Sequence, residues 1–268
     1  MSGLDSPRDL GVVATPAPQT ARHALSMVYG GGGLFGIAYT AGVAAGLLHA
    51  GLPVATAPSL GTSAGSWTAA AVALGLDFDV FADTTPVRVP NLRPGAVAEV
   101  ARALFGESLH PLVSVSAICL RTRSRHILAG AAHPLADLVA ASSAVPGLLP
   151  PHRVDGRLYV DGGMWSATSM DTVPEAEQVI VVAPLAGTVL GPVGRAAGLL
   201  LDRELSRWRG RHPGCAVHVI RPDRDVARLA GRHPLCLFDP ARARDVYPHG
   251  YQQGLAWGAT RRQTYDVA

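Results

Sequence analysis

The pentapeptide Gly61-Thr62-Ser63-Ala64-Gly65 stands between a short apolar run and an alanine-rich stretch. The pattern G-x-S-x-G can form a sharp strand-to-helix turn that leaves a serine hydroxyl exposed, with its glycines keeping side chains out of the corner. A serine is inert at its own pKa and becomes a nucleophile only where a base and a fixed geometry make it one. Because glycine, serine and alanine are common in this chain, Ser63 equally fits an ordinary turn or a helix N-cap on this pattern alone.

Two further segments bear on that choice. Tyr29-Gly30-Gly31-Gly32-Gly33-Leu34-Phe35-Gly36 follows the apolar Ser26-Met27-Val28 and runs into an apolar helical stretch, Ile37 to Leu48. A glycine loop opening a helix presents bare backbone N–H groups where the helix dipole is positive, so an anion belongs there: a phosphate, or the oxyanion of a tetrahedral acyl intermediate. Phosphate fits poorly. The chain has no lysine for a P-loop. A G-x-G-x-x-G through Gly31, Gly33 and Gly36 lacks its acidic partner, since Ile37 to Leu76 holds no Asp or Glu. The second segment, Leu158-Tyr159-Val160-Asp161-Gly162-Gly163, sets an aspartate at an open strand end, or else in a tight hairpin turn. Upstream of it lies Ala141-Ser142-Ser143-Ala144-Val145-Pro146-Gly147-Leu148-Leu149-Pro150-Pro151.

Taken together and in this order, the glycine loop (Gly30 to Gly36), the elbow (Gly61 to Gly65), the Ala-Ser-x-Ala-x-Pro segment (Ala141 to Pro151) and Asp-Gly-Gly (Asp161 to Gly163) resemble the bacterial patatin-like phospholipases over about residues 26–185. The resemblance implies a three-layer α/β fold with a central, mainly parallel sheet flanked by helices. It implies a Ser–Asp dyad, in which Ser63 attacks an acyl carbonyl and Asp161 takes the proton and returns it to the leaving group. It also implies an oxyanion hole from the backbone of Gly31, Gly32, Gly33 and Leu34, with Gly61, Gly65, Gly162 and Gly163 shaping the elbow and the aspartate turn. The family usually carries Arg or Lys where this chain has Phe35, which bears on anionic headgroup recognition more than on backbone donors.

The dyad is chemically coherent. A carboxylate with a pKa of about 4 is a poor base for a hydroxyl, but partial burial raises it and a short hydrogen bond positions the transfer. A Ser–His–Asp triad completed by His218, His233 or His249 competes with it. No HGGG-type loop precedes the elbow, however, and the ten histidines are scattered. No metal or cofactor is expected. Three activities remain: an ester hydrolase of the lipase or phospholipase A type, an acyltransferase or tailoring enzyme on the same dyad, and a non-catalytic acyl- or lipid-binding protein.

The elements that must position these residues are legible from alternation. Strands are expected near 26–30, 54–60, 114–120, 125–129, 157–161, 178–184 and 215–221, and helices near 36–50, 64–75, 133–143, 192–209 and 241–263. This order gives an α/β layered fold, whose ligands sit where strands end. The segment Asp77 to Leu112, broken by Pro86, Pro90, Pro94 and Pro111, reads as irregular: a lid or acyl-chain wall, or a plain surface excursion.

The remaining features narrow the context. Residues 1–23 are polar without an apolar h-region and are expected to be a disordered tail, followed by a single domain over 24–268. No run of about 18 apolar residues exists. Cys119, Cys215 and Cys236 form neither a metal pattern nor a disulfide framework. The cytoplasm is the expected location. A net charge of +3, carried by arginine alone on the basic side and without interleaved aromatics, argues against nucleic acid. The expected partner is a lipid or acyl-ester substrate. The stretch 192–211, with Arg195, Arg203, Arg207, Arg209 and Arg211 beside Leu199, Leu200, Leu201 and Leu205, could touch a membrane surface transiently or pack its leucines into the core.

Overall fold

The computed structural model describes residues 23–77, 79–82 and 84–261. All but the last residue of the expected tail, 1–23, lies outside these; His23 opens the first strand. The strands are β1 (His23–Tyr29), β2 (Ser59–Thr62), β3 (Val113–Cys119), β4 (Ser124–Ala129), β5 (His152–Val154), β6 (Arg157–Asp161), β7 (Ala176–Val182) and β8 (Ala216–Ile220). The helices are α1 (Gly33–His49), α2 (Ala64–Ala73), α3 (Asp79–Ala82), α4 (Ala96–Phe105), α5 (Leu135–Ser142), α6 (Pro192–Arg211), α7 (Arg224–Leu229) and α8 (Pro240–Ala259).

The strands form one mixed sheet. β3, β2, β1, β7 and β8 are parallel neighbours in that order, while β4 and β6 run antiparallel to β3, and β5 antiparallel to β6. Residues alternate between the two faces with the period of a strand. Leu25, Met27 and Tyr29 of β1 join a core with α1, α2, α4 and α5, whereas Val28 faces the other way with Leu60, Val179 and Val181, under Leu201, Leu205 and Trp208 of α6. The result is the expected three-layer α/β architecture with a mainly parallel sheet.

One feature of the sheet decides the site. β4 occupies an entire edge of β3 (Ser114 to Cys119), so β2 and β6 must share the other edge. β2 runs up it to the pair Thr62–Ser116, and β6 runs down it to the pair Asp161–Ala117. The two strands therefore meet end to end, and the residue after Thr62 faces Asp161.

Several elements depart from the expectations. Residues 54–56 form a 3-10 turn, so β2 starts only at Ser59 and runs to Thr62, two residues past the expected strand 54–60. Within the segment expected to be irregular, α4 presents Val97, Ala98, Ala101 and Phe105 to the core. The short β5, α3 and α7 were also unforeseen.

α1 and α8 approach backbone to backbone through glycines. A Cβ on Gly46 would lie 2.2 Å from the Tyr251 carbonyl oxygen, and one on Gly254 2.3 Å from that of Val43. Tyr39 on α1 also donates to Gln253 at 2.7 Å. Gly46→Ala should cost about 1–3 kcal/mol, because overpacking outweighs the gain in helix propensity. The midpoint of denaturant unfolding measures this, and an unchanged or raised midpoint would contradict the packing described.

Candidate active site

The elbow starts where β2 ends. Ser63 has φ 51° and ψ −119°, a conformation that a non-glycine residue adopts only when its surroundings enforce it. Three contacts do so. The Ser63 N–H donates to Ser142 Oγ at 2.8 Å, while its carbonyl accepts from the Ser66 N–H at 2.9 Å and from the Ser66 hydroxyl at 2.6 Å. Ser142 is held in turn by donating to the Ser116 carbonyl at 2.7 Å. α2 begins directly against the end of β1: a Cβ on Gly65 would fall 2.0 Å from the Tyr29 carbonyl oxygen, so only glycine fits.

The Ser63 hydroxyl donates to Asp161 Oδ2 at 2.6 Å, and the other carboxylate oxygen accepts the Gly163 N–H at 2.6 Å. Gly162 lies against β3, where a Cβ would stand 2.3 Å from the Ser116 carbonyl oxygen. The Asp161 N–H donates to the Ala144 carbonyl at 3.0 Å, fixing the strand end. Asp161 is only 3% exposed. Burial pushes its carboxyl up to about 6, against the opposing pull of the Ser63 and Gly163 hydrogen bonds. A group balanced near neutrality can both accept and return a proton.

The glycine loop reaches the same point. Gly31 packs on Ser63, a Cβ there lying 3.3 Å from the serine Cβ. Its N–H, however, donates to the Ala167 carbonyl at 2.7 Å. Of the four expected oxyanion donors, Gly31 is thus corrected: its N–H is already engaged, and the residue anchors the loop. Gly32 is the N-cap of α1, and Gly33 and Leu34 are its first residues. Helix geometry leaves such first-turn N–H groups without intrahelical acceptors. Gly33, Leu34, Ser63 and Ala64 all line one cavity of about 440 Å³. Ala64, the first residue of α2, was not singled out from the sequence, although the residue after an elbow serine is the usual place for a donor.

The cavity is mostly apolar. Its walls are Ile37, Ala38 and Trp67 on one side and Val87, Val89, Val97, Val100 and Leu104 from the proline-broken segment on another. Trp67 is held by donating to Ser143 Oγ at 3.0 Å. Ser142 and Ser143 therefore give the Ala-Ser-Ser-Ala segment a concrete role: one clamps the elbow, the other a wall of the cavity.

The histidines of the competing triad lie elsewhere. His218 in β8 packs on Trp257 with ring centroids 5.4 Å apart. His233 caps the 3-10 turn 234–238 by accepting the Leu235 N–H, and His249 belongs to α8. None lines the cavity. Phe35 is fully buried and stacks on Tyr39 at 6.5 Å.

Residues 90–173 match the family model described as patatin-like phospholipase. The matched stretch includes the Ala141–Pro151 segment and Asp161, whereas the glycine loop and the elbow precede it. Uncharacterized NTE family proteins of Mycobacterium tuberculosis and Mycobacterium bovis are 35% identical over 75 residues, 28% of this chain and 21% of each relative. The aligned part thus spans about a fifth of the length of these curated relatives. VipD from Legionella pneumophila aligns structurally with a TM-score of 0.46 and 13% identity, over 89% of this chain and 67% of that one.

The raised carboxyl of Asp161 has a consequence for stability. Between its ordinary value of 3.8 and about 6, the folded chain holds this proton more tightly than the unfolded chain does. Stability therefore falls as pH rises through that window. Asp161→Asn removes the titration, so its stability relative to the parent should improve by about 2–3 kcal/mol between pH 4 and pH 7. Denaturant melts of both proteins at several pH values read this out, and a constant difference across the window would contradict it.

Proposed function

We infer that this patatin-like chain is a lipid acyl hydrolase that works through a covalent acyl-enzyme on Ser63. The family implies the acyl hydrolase activity. The observation that carries the finer reading is the 2.6 Å hydrogen bond from a strained, cavity-lining serine to a buried carboxylate, with no histidine between them.

Ser63 Oγ adds to the acyl carbonyl carbon as its proton passes to Asp161 Oδ2. The negative charge that develops on the carbonyl oxygen falls beside the N-termini of α1 and α2, where the N–H groups of Gly32, Gly33, Leu34 and Ala64 are the candidate donors. Collapse breaks the ester C–O bond, and the Asp161 proton leaves with the alcohol. Water then adds to the acyl-enzyme, giving its proton to Asp161. The second collapse returns that proton to Ser63 Oγ and releases the carboxylic acid.

The apolar cavity supports an acyl chain as the group bound beside Ser63. The proline-broken segment then acts as an acyl-chain wall, since Val87, Val89, Val97, Val100 and Leu104 face the cavity. An alcohol or amine acceptor in place of water would make the same machinery an acyltransferase. Exposed Val193, Leu199 and Leu200 on α6 are the apolar side chains available there for transient contact with a lipid surface, while Leu201 and Leu205 pack into the core.

An alkyl fluorophosphonate should label Ser63 once, and Asp161→Asn should slow labelling at least about a hundredfold. The labelling rate of the parent should rise with pH through about 6, as Asp161 loses its proton. Intact mass and the labelled peptide report both. Failure of the folded parent to label would sink the hydrolase reading and favour an acyl-binding protein. In a series of p-nitrophenyl esters, Val100→Phe should shift the preferred acyl chain to shorter lengths by filling the cavity. An unchanged preference would remove the proline-broken segment from the chain-binding wall.

A further inference from the structure

Among the described residues, Asp161 and Glu204 are the two buried carboxylates, and the reaction above uses only the first. Glu204 lies on α6 and is 4% exposed. Its Oε2 accepts the Thr168 hydroxyl at 3.1 Å. Ser166 Oγ in turn accepts the N–H groups of Thr168 at 3.3 Å and Ser169 at 2.9 Å. The tetrapeptide 166–169 is thus folded around the Ser166 hydroxyl and tied to α6 through the Thr168 hydroxyl.

What this tetrapeptide touches gives the arrangement its meaning. The carbonyl of Ala167, at its centre, receives the Gly31 N–H at 2.7 Å. It also presses on the preceding residue, since a Cβ on Gly30 would stand 3.1 Å from that oxygen. At its far end, the Ser169 hydroxyl donates to Ser116 Oγ at 2.8 Å. Ser116 is the residue whose carbonyl holds Ser142, the clamp on the Ser63 N–H.

We infer that Glu204 is a positioning residue for the oxyanion loop: from α6 it fixes residues 166–169, and through the Ala167 carbonyl it fixes Gly31, and so the N–H groups that follow it. This rests on the hydrolase reading of Ser63. A carboxylate suits the task because it is acceptor-only, so the Thr168 hydroxyl must meet it as a donor. The charge is costly where it stands. Burial raises the Glu204 carboxyl and nearby Asp171 adds to the rise, while the Ser166 and Thr168 hydroxyls and the Arg125 guanidinium oppose it.

The test compares Glu204→Ala and Glu204→Gln in the full chain. Glutamine keeps an acceptor oxygen of the same reach and alanine does not. With a p-nitrophenyl ester, Glu204→Ala should lower kcat about 10- to 100-fold, the scale of a misplaced catalytic element. KM should stay within about twofold, because the loss falls on the transition state. Binding of a trifluoromethyl ketone, which forms a tetrahedral oxyanion, should weaken in parallel with kcat. The Gly31 amide should exchange faster with solvent by NMR. Glu204→Gln should restore most of each quantity. A folded Glu204→Ala protein with parental kcat, inhibitor affinity and Gly31 protection would overturn the inference, as would an equal loss in both variants. If Glu204→Ala does not fold, Thr168→Val removes the hydroxyl that Glu204 holds: slower turnover with faster Gly31 exchange supports the inference, and parental values overturn it. Absence of esterase activity in the parent would reject the hydrolase reading, while Gly31 exchange would still decide whether Glu204 holds the loop.

Discussion

The contact between Ser63 and Asp161 depends on two strands colliding along one edge of β3. A purely parallel sheet would carry every strand end away from its neighbours on the same side, leaving a nucleophile and a base on adjacent loops. Here β6 returns antiparallel on the edge that β2 has just vacated, and the two chain directions meet between Ser116 and Ala117. The serine and the carboxylate are then set by backbone pairing rather than by flexible loops, which is what a 2.6 Å hydrogen bond between short side chains requires. Gly162 is the residue that lets the chain turn away immediately after the aspartate, against the Ser116 carbonyl.

Burying that carboxylate is unfavourable, and the surrounding residues reveal how the cost is met. A buried charge needs hydrogen bonds to remain tolerable. Asp161 has two, one from the Ser63 hydroxyl and one from the Gly163 N–H. Neither donor carries a full positive charge, so the carboxyl stays raised instead of being pulled down as it would be beside an arginine. Asp171 shows the contrast: Arg125 grips it through two hydrogen bonds of 2.7 Å and holds its carboxyl below the ordinary value. Two aspartates ten residues apart thus shift in opposite directions, one deeply buried among neutral donors and the other less buried and gripped by a guanidinium.

The sequence revealed the central strands and the helices that follow them because those elements obey one period each. β1 and β7 read as apolar runs, and α1 and α2 follow glycine-rich turns with no charged residue to interrupt them. α4 was missed for a physical reason. Four prolines around it suggested irregular chain, although Pro94-Gly95 only starts the helix and the apolar positions Val97, Ala101 and Phe105 recur at helical spacing. β5 is three residues long, too short for alternation to register. At the site, the serine, the aspartate and the glycines were readable as motifs. The commitment of the Gly31 N–H to Ala167 was not, because nothing local links residues 136 positions apart. The clamp from Ser142 to Ser63, across 79 positions, was hidden for the same reason.

Phe35 shows how a motif departure is absorbed by packing. The residue is fully buried, stacked on Tyr39 one helical turn later, and part of the core beneath the sheet. A long basic side chain there would need a route to solvent or an anionic partner, and the stretch from Ile37 to Leu76 contains no acid to provide one. In this chain the position therefore contributes apolar area to the base of α1, and the helix is pinned from its other side by the Thr40–Thr68 hydrogen bond at 2.6 Å and the glycine contact with α8. The N-terminus of α1 is held by its anchorage in the core and by the Gly31–Ala167 hydrogen bond, without a charged side chain on the loop itself.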